Sequence, residues 1–175
     1  MKEERRARLV ALIGSAVFLV LAPGTVAAYL PWTMTRWEIQ PALLGIGALR
    51  IAGALVLMLG LLGLLDSFRR FAVQGLGTPA PVFPTRTLVV TGLYRFVRNP
   101  MYCGVVAAIL GQALLFGSAK LILYAAVVWL AFQLFILSYE EPRLRATYGA
   151  RYEEFRANVP RWISRLTPWR SGSSA

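Results

Sequence analysis

Pro100–Phe116 (PMYCGVVAAILGQALLF) and Leu121–Ser138 (LILYAAVVWLAFQLFILS) are two apolar runs without a charge, separated only by Gly117-Ser118-Ala119-Lys120. A membrane span needs about 20 apolar residues, with a range of ~17–25. A lone strand in hydrocarbon leaves its backbone groups unpaired, whereas a helix pairs its own. The stretch therefore predicts two transmembrane helices in a tight antiparallel hairpin. Further out, Leu9–Leu30 is also free of charge, and Pro41–Leu65 contains only Arg50. The expected fold class is all-α: an integral membrane bundle of about four transmembrane helices, followed by amphipathic cytoplasmic helices. Composition agrees, since 57% of the residues are hydrophobic against the ~45–50% of a soluble domain.

The net charge of +11 invites a nucleic-acid reading, but its distribution argues against one. Lys and Arg number four in residues 1–8, five in 66–99 and seven in 139–175, but one each in 31–40 and 117–120. That alternation is the positive-inside pattern of four spans with both termini in the cytoplasm. The positive charge then serves topology and contact with anionic lipid. Leu9–Leu30 is too long for a signal-peptide core of ~7–15 residues, and Pro31-Trp32 makes a poor cleavage site. The chain has one cysteine, Cys103, so no internal disulfide forms. It has no histidine, which removes the commonest general base and metal ligand. No metal site is expected.

The chain divides into two N-terminal helices (1–65), a cytoplasmic loop (66–99), the hairpin (100–138) and a cytoplasmic tail (139–175), all within one membrane domain. Trp32 and Trp37 fall where an interfacial aromatic belt is expected. Arg50 reads as lying near the middle of the second helix, where a charge must face protein or a wet cavity, or snorkel. Gly75–Pro84 holds two glycines and three prolines. No strand–glycine–helix unit surrounds Gly75-Leu76-Gly77, so a phosphate cradle there is poorly supported. The loop's apolar residues predict that it packs beneath the helices.

Chemistry-bearing residues gather at the two cytoplasmic ends of the hairpin. Asn99 suits an N-cap and Pro100 the first helical turn. The helix start beside Arg95 and Arg98 is either an anion site or an ordinary helix entry. At the exit stand Glu140 and Glu141, which on a helix point about 100° apart and need not share a role. The spacing Glu141–Arg145 also suits a salt bridge. Leu144, Tyr148, Tyr152, Phe155 and Val159 then mark one helical face, predicting an amphipathic segment over 140–158 that lies in the membrane interface and is bent or ended at Gly149.

Two segments together resemble the isoprenylcysteine carboxyl methyltransferases and the related bacterial phospholipid methyltransferase-like proteins. One is Leu88-Val89-Val90-Thr91-Gly92-Leu93-Tyr94 with Arg98-Asn99-Pro100-Met101-Tyr102-Cys103-Gly104. The other is Glu140-Glu141-Pro142-Arg143-Leu144 with Tyr148-Gly149, Tyr152, Phe155 and Val159-Pro160-Arg161-Trp162. The resemblance covers roughly residues 75–165. Where that family commonly has Arg-His-Pro, this chain has Arg98-Asn99-Pro100, and an asparagine does not titrate. The resemblance implies S-adenosylmethionine as methyl donor and a lipophilic acceptor, either a prenylcysteine-like carboxylate or a lipid amine. The implied setting is the bacterial inner membrane. It points to Asn99, Tyr102 and Arg98 at the reacting centre. Glu140, Glu141, Tyr94, Arg95, Pro100, Tyr148, Tyr152 and Arg161 are expected around the donor. The residues suit that donor: carboxylates for its amine or ribose, arginine for its carboxylate, and aromatic rings for its adenine and sulfonium. A nicotinamide-dependent membrane reductase and a non-enzymatic membrane subunit or transporter are the alternative readings.

Overall fold

A computed structural model describes residues 13–14, 16–70 and 88–170. The expectations for Gly75–Pro84 and for the first residues of the Leu9–Leu30 run lie outside these. The described elements are helical, with no strand among them. They are α1 (Ala16–Thr35), α2 (Ala48–Arg70), α3 (Pro100–Phe116), α4 (Ala119–Phe135), α5 (Glu141–Tyr148) and α6 (Ala150–Asn158). A π-helical turn, Ile136–Glu140, joins α4 to α5 without a break, giving a continuous helix of 30 residues.

Among the described residues, three helices are long and apolar enough to cross a membrane, and α3 is a shorter apolar helix of 17 residues. At 1.5 Å per residue, α3 is about 26 Å long, less than a ~30 Å hydrocarbon core. It sits at the centre of the bundle, where its neighbours rather than lipid cover it. Val105, Ala108, Ile109 and Ala113 are buried, and Leu64 and Phe68 of α2 join them in the core with Leu121 and Ala125 of α4. The outward faces of α2 and α4 carry exposed Ile51, Leu55, Leu59, Leu62, Leu123, Leu130 and Leu134. An exposed apolar band of this extent suits lipid and not water.

α2 and α3 meet backbone to backbone. Gly60 faces Gly104 and Gly53 faces Gly111, an antiparallel pairing of glycines seven residues apart on each helix. A Cβ on Gly60 would lie 2.9 Å from Ala108 N and Gly104 O, and one on Gly111 would lie 2.5 Å from Leu57 N. Small residues permit this approach, and in lipid close packing is a main source of helix association.

Both π turns precede a proline. Thr25–Tyr29 is followed by Pro31, and Ile136–Glu140 by Pro142. Proline has no N–H, and its ring collides with the carbonyl four residues back. Widening the preceding turn relieves that clash. In α1, Leu30 N donates to Thr25 O instead of Val26 O, and Pro31 leaves Ala27 O without its helical donor. Tyr124 Oη donates to Val26 O at 2.9 Å, and Gln112 Nε2 donates to Ala27 O at 2.7 Å. Neighbouring helices thus satisfy the carbonyls that α1 releases, as hydrocarbon demands.

Several boundaries differ from the sequence expectation. α2 begins at Ala48, not Pro41, and runs on through Asp66 to Arg70. Pro41 opens an irregular turn in which Leu44 and Gly45 adopt positive φ. Arg50 therefore lies in the first turn of α2 rather than at mid-span. There Nη2 donates to Gln40 O at 2.6 Å. Trp37 is more than a belt residue, since its Nε1 donates to Gln112 Oε1 at 3.1 Å. The apolar face of residues 144–159 is covered by protein, not by lipid. Tyr152, Phe155 and Val159 form a second small core with Leu88, Val90, Leu144, Tyr148 and Trp169. Gly149 does bend this segment: at φ 52° and ψ −129° it adopts a conformation open only to glycine.

Candidate functional site: paired carboxylates at the end of the hairpin

The helix continuation through Ile136–Glu140 carries both carboxylates back over the start of α3. The two then take different partners. Tyr102, in the first turn of α3, donates its hydroxyl to Glu140 Oε2 at 2.8 Å. Glu141 is 4% exposed. Its Oε1 accepts from Arg98 Nη1 at 3.0 Å and from Arg161 Nε and Nη2 at 2.9 and 2.7 Å. Arg145 stands 3.9 Å from its other oxygen, as the four-residue spacing suggests. A carboxylate buried to this degree needs such charged partners.

Arg98 also donates to Tyr152 Oη at 3.4 Å. Burial pushes the Tyr152 phenol upward, and the Glu141 charge adds to the rise while Arg98 opposes it. Tyr152 therefore keeps its proton at neutral pH. Arg98 Nε is buried and finds no acceptor among the described residues. Tyr94 is buried, and desolvation pushes its phenol well above the usual range; a Ser67 hydrogen bond opposes this and the Glu140 charge reinforces it.

The chain beyond α6 lies alongside the approach to α3. Arg98 N donates to Pro160 O, Arg165 N to Phe96 O and Trp169 N to Arg95 O, each at 2.9 Å. Arg95 returns the contact through Nε to Trp169 O at 2.7 Å. Asn99 occupies the N-cap position of α3, but its side chain makes no capping bond. Its amide instead donates to Arg161 O at 3.4 Å. Pro100 takes the first helical position and is buried.

The fold thus assembles buried Glu141 and Tyr152 with the partly buried Arg98 and Arg161 into one cluster, with the Tyr102–Glu140 pair beside it. Arg95 is committed to the tail, and Tyr148 packs half-buried in the second core. Tyr102 also borders an apolar cavity of about 90 Å³. Phe18, Ala22, Pro23 and Val26 of α1 line it, with Met101 and Val105 of α3 and Phe132 of α4. Tyr102 and Phe132 pack with ring centroids 4.6 Å apart. Two polar partners escaped the sequence reading: Gln133, which accepts from Trp162 beside the site, and Gln112, which lies further along α3, away from the site, and binds Trp37 and Ala27. Each is the single amide side chain in a charge-free run, and a polar group at that depth requires a partner.

Known proteins resemble part of this chain. The family model described as phospholipid methyltransferase matches residues 48–151. The chain is 36% identical over 77 residues to a protein-S-isoprenylcysteine O-methyltransferase of Schizosaccharomyces pombe, covering 43% of this chain and 32% of that one. It is 37% identical over 73 residues to protein-S-isoprenylcysteine O-methyltransferase A of Arabidopsis thaliana, covering 41% of this chain and 36% of that one. The match thus spans about a third of the length of these curated relatives. No solved structure matches the chain.

Proposed function

This chain belongs to the phospholipid methyltransferase family, and on that premise we propose that it transfers a methyl group from S-adenosylmethionine to a lipophilic acceptor at the cytoplasmic face of the membrane. The observation that carries the proposal is the position of Tyr102. Its hydroxyl meets the Glu140 carboxylate, and its ring borders an apolar cavity between α1, α3 and α4. A polar donor and a greasy acceptor need such a junction.

The side chains fit the donor. Glu140 suits its amine or a ribose hydroxyl, and the buried, orphan Nε–H of Arg98 suits its carboxylate. When bound, S-adenosylmethionine supplies a methyl group activated by the sulfonium charge. What remains for the protein is alignment and exclusion of water. In this proposal Glu140 and Arg98 bind, Tyr102 and Asn99 orient groups at the reacting centre, and Glu141 holds Arg98 and Arg161 in place. The acceptor enters sideways from the bilayer, and its nucleophile is a prenylcysteine-like carboxylate or a lipid amine.

Equilibrium binding of radiolabelled S-adenosylmethionine and of a nicotinamide cofactor to the purified protein tests the reading. Saturable binding of the first alone is expected. Binding of the nicotinamide cofactor instead would favour a reductase. Transfer of label to a prenylcysteine or to an aminolipid in mixed vesicles identifies the acceptor.

A further inference from the structure

We propose that the turn after α6, Pro160–Leu166, enters the bilayer leaflet on which the site opens, seating Trp162, Ile163 and Leu166 among the lipids. Depth is the first argument. Trp162 Nε1 donates to Gln133 Oε1 at 2.7 Å, and its ring lies 5.8 Å from that of Trp129. Both partners belong to the apolar part of α4. Gln133 precedes Glu140 by seven residues, which is about 10 Å along the helix towards the membrane centre. At the same level Leu130, Leu134 and Leu137 are exposed on the lipid-facing side. The Trp162 ring is thus at the depth of lipid chains, not of the charged rim.

The second argument is the backbone. Irregular chain at membrane depth is tolerated only where its polar groups find protein partners. Three consecutive carbonyls meet that condition. Pro160 O accepts from Arg98 N, Arg161 O from Asn99 Nδ2 and Trp162 O from Cys103 Sγ. Pro160 itself has no N–H to satisfy. Arg165 N, further along, donates to Phe96 O.

The side chains supply the third argument. Ile163 is 79% exposed and Leu166 is 99% exposed, beside a tryptophan already in contact with a membrane helix. Arg161 and Arg165 point their charge elsewhere, to Glu141 and to Asn158 O. In water this pattern exposes apolar surface without compensation; in the leaflet it buries it. The occupant is the bilayer around the protein's own spans, so no separate partner is required.

The test places a photoreactive benzoylphenylalanine at Ile163 or Leu166 of the full chain. The variants are reconstituted in vesicles of radiolabelled phosphatidylcholine and phosphatidylglycerol. Leu130, on the lipid face of α4, and Glu154, exposed on α6, are the comparison sites. Lipid labelling at 163 and 166 is expected within about twofold of that at 130 and several-fold above that at 154. Labelling no higher than at 154 would overturn the proposal. A second measurement leaves both positions native. In vesicles of brominated lipid, Trp162→Phe should remove a lipid-quenched share of the tryptophan emission. An unchanged quenched share would equally refute the seating of Trp162.

Discussion

Glu140 and Glu141 are adjacent in the chain, yet one meets a tyrosine hydroxyl and the other two arginines. Glu140 Oε2 accepts from Tyr102 at 2.8 Å, while Glu141 Oε1 is gripped by Arg98 and Arg161 at 2.7–3.0 Å. The two carboxylates should therefore fail differently when removed. Glu140→Gln is expected to weaken donor binding by about 1.5–3 kcal/mol, the worth of a charge-assisted hydrogen bond, with little loss of stability. Glu141→Ala is expected to destabilise the fold by roughly 3–5 kcal/mol, because it strands partly buried guanidinium groups. Binding isotherms and thermal unfolding in the same detergent separate the effects. Equal behaviour of the two variants would contradict the division of roles.

The glycine seam between α2 and α3 predicts a sharp positional contrast. Gly60→Leu and Gly111→Val push side-chain atoms into a facing backbone and should abolish or grossly lower the yield of folded protein. Gly63→Ala is the control: its Cβ would meet only Leu93 Cδ1, at 3.6 Å. Removing a glycine from a helix interior there should leave stability unchanged or raise it by about 0.5–1 kcal/mol. Size-exclusion profiles and melting temperatures give the answer.

Gln112 serves three partners at once, accepting from Trp37 and donating to Ala27 O and to Ala108 O. Gln112→Leu should cost about 1–3 kcal/mol, since it leaves a membrane-buried carbonyl without a donor. Tyr124→Phe should cost about 0.5–1.5 kcal/mol for the single bond to Val26 O. Because both bonds hold the same widened turn of α1, the double variant should lose a different amount from the sum. A cycle of unfolding measurements reads that coupling, and strict additivity would show that the two bonds act independently.

Asn99 sits at the N-cap of α3, but its side chain donates to Arg161 O and makes no capping bond. Its proposed role is to orient groups, since an amide does not accept a catalytic proton at neutral pH. Asn99→His should leave turnover nearly unchanged and add no ionisation near pH ~6.5 to the rate profile. A large gain in turnover with a new inflection in that range would show that proton transfer at this position limits the reaction.

The sequence by itself determined the membrane class, the helical hairpin and the two ends where polar groups gather. It could do so because hydrocarbon offers no water to pair backbone groups, and a helix is the local way to pair nearly all of them, so apolar run length announces a helix. Gly149 was legible for the same reason, as a conformational requirement of one residue. Only the tertiary structure decided what depends on distant pairings. Glu141 finds Arg98 across 43 residues, and Gln112 finds Ala27 across 85. Periodicity marks the face Leu144–Val159 as apolar, but reading it as an interfacial face was wrong, because Leu88, Val90 and Trp169 from distant parts of the chain cover it. Arg50 was misplaced because Pro41 and the positive-φ turn at Leu44-Gly45 delay the start of α2 until Ala48. An apolar run shows where a helix can exist, while the packing around its ends decides where it begins and which side chains meet.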